Sequence, residues 1–372
     1  MSSGASQPGG PPQMSGPPYL PNNASLGGRP TIPLDVPVSA VLLAIFLCLA
    51  VVHMTIFQKN RRRDHKFVFS AMLFGLSMAR TAALTMRIVW ATRPNNVQIA
   101  IAANILTQAG VIILFIANLF FAQRMVRAYH PAFGWHRATR LVFRFLVSSV
   151  VICLIMVIIC TVHSFYTLDM NARRMDRDVQ LVAGTFFALL AFIPAPVVLI
   201  ASLTPRRDSR PIEKFGAGRF RSKVQLLLFT SLLLTLGAGF RIGVNFDLRP
   251  ANAPAWFHHK ACYYTLNYGI EIIVSALYAA VRFDRRFHIP NGAKGPGDYQ
   301  QQRKRGGLHI ATEEEAFGPA DSLETIRADT HSQEEWERQA KKEIRGEDNG
   351  VVVGPTMEEG SRTKERHDLE IV

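Results

Sequence analysis

Charge is what this 372-residue chain has least of. Asp, Glu, Lys and Arg together make up 19% of it, where a soluble domain usually carries about 25%. There is no phosphate-binding loop, no His-Glu-x-x-His, no nucleophile elbow and no pair of intramembrane aspartates, so enzymatic activity is not expected and no cofactor is implied. Cysteine is sparse. Cys48, Cys153, Cys160 and Cys262 all lie in apolar runs without metal-ligand spacing, and read as small buried side chains. Cys160 and Cys262 both fall near the outer ends of apolar runs, and spacing alone leaves a disulfide between them open. His258-His259 are neighbours in sequence whose side chains point apart, so no metal is expected there either. No internal repeat divides the chain, which weakens an inverted-repeat transporter reading.

What the chain has instead is 48% hydrophobic residues gathered into long runs. A spanning helix needs about 20 mostly apolar residues. Seven runs qualify, at 38–57, 67–91, 97–122, 141–162, 179–203, 224–246 and 261–281. The expected fold is therefore all-α: a bundle of seven transmembrane helices over 38–290, with disordered tails at 1–37 and 291–372. The first run is expected to serve as an uncleaved signal anchor.

Orientation follows from the basic loops. Loops 59–66, 123–140 and 204–223 carry 16 Lys and Arg, and the alternate segments, the N-terminal tail included, carry seven. Cytoplasmic loops hold the excess, so the N-terminus is placed outside and the C-terminus in the cytosol, in a plasma membrane rather than an endomembrane. The sequon Asn23-Ala24-Ser25 agrees, making Asn23 a candidate glycosylation site in the outer tail. Residues 1–290 hold 30 Lys and Arg against 10 Asp and Glu, whereas residues 291–372 hold 12 against 18. The formal charge of +14 thus belongs to a basic membrane body with an acidic tail, which does not suit a nucleic-acid binder. In that tail, Ser332-Gln333-Glu334-Glu335 is a capping box for a short helix ending at Gly346, and Ser322, Thr325, Thr330 and Ser332 could accept phosphate.

An ionisable group at the bilayer centre costs at least ~2.5 kcal/mol. Arg80 and Glu271 are the two that accept this cost. Arg80 lies ~20 Å from the inner end of its run and Glu271 ~15 Å from the outer end of its own, at 1.5 Å per residue. In a ~30 Å hydrocarbon core those depths meet, which predicts an Arg80–Glu271 ion pair. Tyr264, Asn267, Glu271, Ser275 and Tyr278 share one face of the seventh run. Ser77, Arg80 and Arg87 mark the second, Asn104, Gln108 and Asn118 the third, and Ser231, Thr235, Arg241 and Asn245 the sixth. Two readings stand: a polar interior that binds an anionic ligand through Arg80, Arg87, Asn104, Gln108, Arg241, Asn245, Tyr264, Asn267 and Glu271, or a network that only fixes the helices. Pro194 and Pro196 should kink the fifth helix, and Gly239-x-x-x-Gly243 is a close-packing pattern on the sixth. The run Arg282-Phe283-Asp284-Arg285-Arg286-Phe287 alternates cations and aromatics, as a segment lying in the anionic inner interface would.

Several family patterns can be compared. Gln123-Arg124-Met125 stands where the largest receptor class has its acidic-Arg-Tyr motif. No proline lies between Ala261 and Val281, and no lysine falls inside the seven runs, which excludes a retinal Schiff base. Pro21-Asn22-Asn23, Asp35-Val36-Pro37, His53-Met54-Thr55, Asn60-Arg61-Arg62-Arg63, His65-Lys66-Phe67, Arg87 with Trp90-Ala91, and the run Arg282 to His288 resemble a fungal seven-transmembrane family of unknown function, often labelled family C-like G-protein-coupled receptors. This likeness covers roughly residues 20–295 and implies a receptor-like sensor. Phe240-Arg241 and Glu271 resemble, more weakly, the fungal lipid-translocating exporters, which implies a lipid or small-anion transporter as the alternative. A non-catalytic membrane organiser is the third reading. The expected partners are the lipid bilayer and a cytosolic signalling protein that meets loop 204–223 and the C-terminal tail.

Overall fold

The structure is a computed structural model that describes residues 16–19, 23–62, 67–205, 213, 215–290, 293 and 295–300. Residues 1–15, 20–22 and 63–66, residues 206–212 and 214 of loop 204–223, and the capping box and phosphate-acceptor sites of the C-terminal tail lie outside the described residues. The described residues are helical, apart from loops and one isolated antiparallel bridge between Asn23 and Pro250. Six helical stretches are long and apolar enough to cross a membrane. They are α1 (Ile32–Arg62), α2 (Val68–Thr92), Val97–Tyr129, Arg137–Tyr166, Met170–Leu203 and Phe220–Phe246. Val97–Tyr129 consists of α3 (Val97–Ala109) and α4 (Ile112–Tyr129), followed by the short α5 (Pro131–Gly134). Arg137–Tyr166 is α6, and Met170–Leu203 divides into α7 (Met170–Phe192) and α8 (Pro194–Leu203) at the turn before Pro194, where the missing N–H breaks the ladder. Phe220–Phe246 is α9.

The seventh run is helical throughout but not uniformly α. It comprises α10 (Lys260–Tyr263), a π-helix (Tyr264–Gly269) and α11 (Ile270–Ala280). Its longest α segment has 11 residues, so this stretch differs from the other six. A four-residue α12 (Phe283–Arg286) follows.

The outer surface of the bundle is apolar. On α6, only Val150, Val157, Thr161 and Phe165 are buried, while Leu141, Val142, Phe145, Ile152, Ile155 and Ile159 are exposed. A face of this size would not persist in water, and a bilayer satisfies it.

Three expectations change. The N-terminal tail was read as structureless to residue 37, but α1 begins at Ile32, and Asp35 accepts from the Thr31 backbone N–H at 2.8 Å. The Arg282–Phe287 run is folded against the bundle, with Phe283, Asp284, Arg286 and Phe287 buried. Arg282 takes a left-handed conformation (φ 51°) after α11, which turns the chain back under the bundle. Phe283 and Phe287 are then fully buried against Phe121, with Phe67 and Tyr278 also packed on Phe283. Gly239 and Gly243 are exposed with open space around them, because they face away from the bundle. The close approach is at Gly237, where a Cβ would lie 3.1 Å from the Leu266 carbonyl oxygen and 3.2 Å from Ile270 Cδ1. A backbone carbonyl cannot move aside as a flexible side chain can. Gly237→Val should therefore lower stability by ~1–3 kcal/mol, whereas Gly239→Ala should leave it level or raise it by up to ~1 kcal/mol. Thermal unfolding of the purified protein in detergent ranks the two, and the reverse order would put the sixth-helix contact at Gly239.

Candidate functional site

Arg80 lies on α2 with no exposed surface. Its Nε and Nη2 donate to the two carboxylate oxygens of Glu271, each at 2.5 Å. Its remaining terminal nitrogen, Nη1, donates to the carbonyls of Leu106 at 3.2 Å and Thr107 at 2.5 Å. In an unbroken helix those carbonyls would accept from residues 110 and 111, which are the two residues at which α3 stops and α4 begins. The guanidinium is thus inserted into the third-helix ladder and splits it. Gly110 makes room, since a Cβ there would lie 2.9 Å from Arg80 Cζ. The Tyr268 ring stands 5.4 Å from Arg80 Cζ, and its hydroxyl shares hydrogen bonds with Thr107 at 3.2 Å and Tyr263 at 3.1 Å. Arg241, on α9, approaches Glu271 at 3.9 Å and donates to Asn267 Oδ1 at 3.3 Å.

A second knot closes the end of the bundle where α1 begins. Asp35 is fully buried and accepts from Arg87 Nη2 at 3.0 Å, from the Tyr264 hydroxyl at 2.7 Å, and from Lys260 Nζ. Arg87 also donates to the carbonyls of Gly27 at 2.8 Å and Gly28 at 3.1 Å, and its Cζ lies 4.6 Å from the Tyr263 ring centroid. Residues 23–31 therefore form a strap across that end. The Gly27 N–H donates to the His258 carbonyl at 3.0 Å and the Ala24 N–H to the Arg249 carbonyl at 2.8 Å. Gly27 has φ +76°, and a Cβ there would stand 2.5 Å from the Tyr263 ring, so only glycine fits. Each knot holds one cation more than it holds acids: Arg80 and Arg241 against Glu271, and Arg87 and Lys260 against Asp35.

The polar face of the seventh run continues inward. Ser275 Oγ meets His53 Nε2 at 2.9 Å. The Tyr278 hydroxyl donates to Asn118 Oδ1 and shares a hydrogen bond with Thr230 at 3.0 Å, while Asn118 Nδ2 donates to Ser231 at 3.2 Å. Beyond the helix end, Asp284 accepts from Asn60 at 3.0 Å and from Arg282 at 3.1 and 3.0 Å. Burial alone would raise its carboxyl pKa, but Arg282 and Asn60 together hold it below the ordinary range.

Between the strap, α2, α3, the end of α6 and loop 247–259 lies a cleft of about 1110 Å³. Of the residues expected to bind a ligand, Asn104 lines this cleft. Arg80, Arg87, Tyr264, Asn267 and Glu271 are buried and bonded to one another or to the strap, and Arg241 is part-buried beside them. Gln108 and Asn245 are exposed and turned away from these groups. Asn23 is exposed at the cleft rim. All four cysteines are free thiols. Among the described residues no group of three or more His, Cys, Asp or Glu side chains could hold a metal.

The sequence reading missed Asp35, Lys260 and His53. A signal existed for the first, because Asp35 is the only acid before Asp64 and stands just before an apolar run. His53 stood equally alone in that run.

A family model described as a protein of unknown function, DUF3112, matches residues 218–288. The chain is similar to that family from α9 to the Arg282–His288 run, a segment that includes Arg241, Asn267 and Glu271. No curated protein and no solved structure matches the chain.

Two outcomes follow from the knots. Glu271→Leu leaves the buried Arg80 uncompensated and should cost ~3–5 kcal/mol, and Arg80→Met, which leaves Glu271 with only the more distant Arg241, should cost less. The double variant should cost clearly less than the sum of the two. Unfolding of the four proteins in detergent measures this, and additive losses would mean that the two groups act independently. Asp35→Asn should loosen the strap, so that proteinase K cuts within residues 23–31 about tenfold faster than in the parent protein, an opening easier by ~1.4 kcal/mol. Unchanged cleavage would mean that the backbone pairings to Arg249 and His258 hold the strap by themselves.

Proposed function

We propose that this multi-pass helical protein crosses the bilayer seven times, N-terminus outside, and works as a receptor-like sensor in the plasma membrane rather than as an enzyme. The 16-to-seven distribution of basic residues supports the orientation, and unbroken helical backbone from Lys260 to Ala280 supports the seventh span. The observation that carries the sensor reading is the outer cleft set above a sealed interior. The groups beneath it bond to one another, and the inner end is closed by the packed rings of Phe67, Phe121, Phe283 and Phe287.

The seventh run links the two ends. Lys260 stands at the cleft, its buried polar face holds Glu271 and Ser275, and its inner end carries the Asp284 contacts. Ligand in the cleft that shifts Lys260 moves a helix bonded at each of these levels. The displacement reaches the inner segment around Ala217, whose N–H donates to the Arg285 carbonyl at 2.9 Å, and from there loop 204–223 and its cytosolic partner. Lipid or anion translocation, the alternative, requires both the knots and the aromatic plug to part in each cycle.

Proximity labelling from a tag on the C-terminal tail in living cells tests the sensor reading. Enrichment of G-protein subunits or their regulators, lost when loop 204–223 is scrambled, is the expected result. Enrichment of lipid-metabolic or flippase components without signalling proteins would overturn it in favour of transport.

A further inference from the structure

The outer cleft has a chemistry that narrows what it can hold. Its ionisable lining residues are Arg29, His258, His259 and Lys260, and no acid is among the residues that line it. Lys260 is engaged by Asp35, but Arg29 is exposed and makes no hydrogen bond or ion pair among the described residues. His258 is 5% exposed, and its Nδ1 is buried with no hydrogen-bond partner among the described residues. A buried ring nitrogen left in this state costs free energy that a ligand atom would recover. The remaining wall is largely apolar and includes Trp90, Phe165 and Trp256, of which Trp256 is 78% exposed. An exposed indole at Trp256, backed by the buried rings of Trp90 and Phe165 and set beside the unpaired charge of Arg29, suits a ligand with an apolar body and a single anionic head.

We infer that the cleft binds a small amphipathic carboxylate from the outer aqueous phase, its head met by Arg29 and His258 and its hydrocarbon body lying on Trp90, Phe165 and Trp256. This deepens the sensor reading and rests on it for biological meaning, though the binding itself does not require a signalling partner. The aqueous source follows from position. The cleft is walled by the strap and by loop 247–259, both of which lie outside the helices long enough to span. The cleft's volume of about 1110 Å³ accommodates a medium-length chain and its head.

The test is binding of octanoate to the full-length protein in nanodiscs of zwitterionic lipid. Calorimetry measures affinity, and quenching of indole fluorescence reports the location. Octanol, octyltrimethylammonium and inorganic phosphate are the comparison probes. Saturable octanoate binding at least tenfold tighter than that of the other three is expected. Arg29→Glu should weaken it by tenfold or more, and Trp256→Phe should remove most of the quenching while the protein remains folded. Arg29 is exposed and unbonded, so its substitution leaves the fold intact and failure to fold does not cloud the result. Equal binding of octanol or the cation would overturn the anionic head, and equal binding of phosphate would overturn the apolar body. Octanoate binding that vanishes in nanodiscs containing phosphatidylserine would assign the cleft to a bilayer lipid head and overturn the aqueous source. Absence of saturable octanoate binding overturns the inference outright. Each of these leaves the recruitment of a cytosolic partner, read by proximity labelling, as a separate question.

Discussion

The Arg80–Glu271 pair is the constraint around which the bundle is arranged. An arginine placed deep in a span must have every N–H matched, because no water is at hand to match it. Glu271 takes two directions of the guanidinium and the Leu106 and Thr107 carbonyls take a third. That last demand breaks the third helix, and the break needs a residue without a side chain at position 110. Glu271 is the second residue beyond the π-helix of the seventh run. A π turn widens the helix locally and offsets the residues beyond it. Tyr263, Tyr264, Asn267, Tyr268 and Glu271 are thus all buried toward the same polar region. One ion pair accounts for the position of one helix irregularity and sits beside the other.

The second knot extends the same logic to the surface. Asp35 is as buried as Arg80, although it sits only three residues into α1. It can be so because Arg87, Lys260, Tyr264 and Thr31 surround it, and because the strap roofs the site. The tail is therefore part of the bundle from Asn23 onward. Its carbonyls serve Arg87 as the third-helix carbonyls serve Arg80. In both knots a guanidinium is shared between one carboxylate and two backbone oxygens, a fork geometry that lysine could not reproduce.

How much of this could be read from the sequence depended on the range of the signal. Run length and basic loops are local, and they located the helices to within a few residues at most ends. The start of α7 at Met170, nine residues earlier than expected, is an exception that Asp169 explains by capping the Asn171 N–H at 3.0 Å. The meeting of Arg80 and Glu271 was legible because two rare charges had matching depths. Asp35 was not, since it lay in a segment whose Pro and Gly content argued against structure, and its partners come from α2 and the seventh run. The fate of Gly239 and Gly243 was hidden for a related reason. A small-residue pattern states that a helix can be approached closely, but which side is approached is set by the polar groups on the rest of the helix. Arg241 turns toward Asn267 on the seventh run and Ser231 toward Asn118 on α4, and that rotation brings Gly237 to the contact.

The surplus cation in each knot is the feature that a purely structural network would not need. Burying a charge without a matching acid lowers stability, and a bundle held together only for its own sake gains more from neutral pairs or apolar packing. Arg241 and Lys260 are also the least buried cations of their knots, at 18% and 20% side-chain exposure. The surplus charge thus lies on the sides of the knots that retain some access to solvent, while the fully buried Arg80 and Asp35 are matched. Arg29 and the unsatisfied ring of His258 continue the same imbalance into the cleft. Arg29, His258, His259 and Lys260 thus line the cleft with no acid among its lining residues, while packed phenylalanines close the opposite end of the bundle.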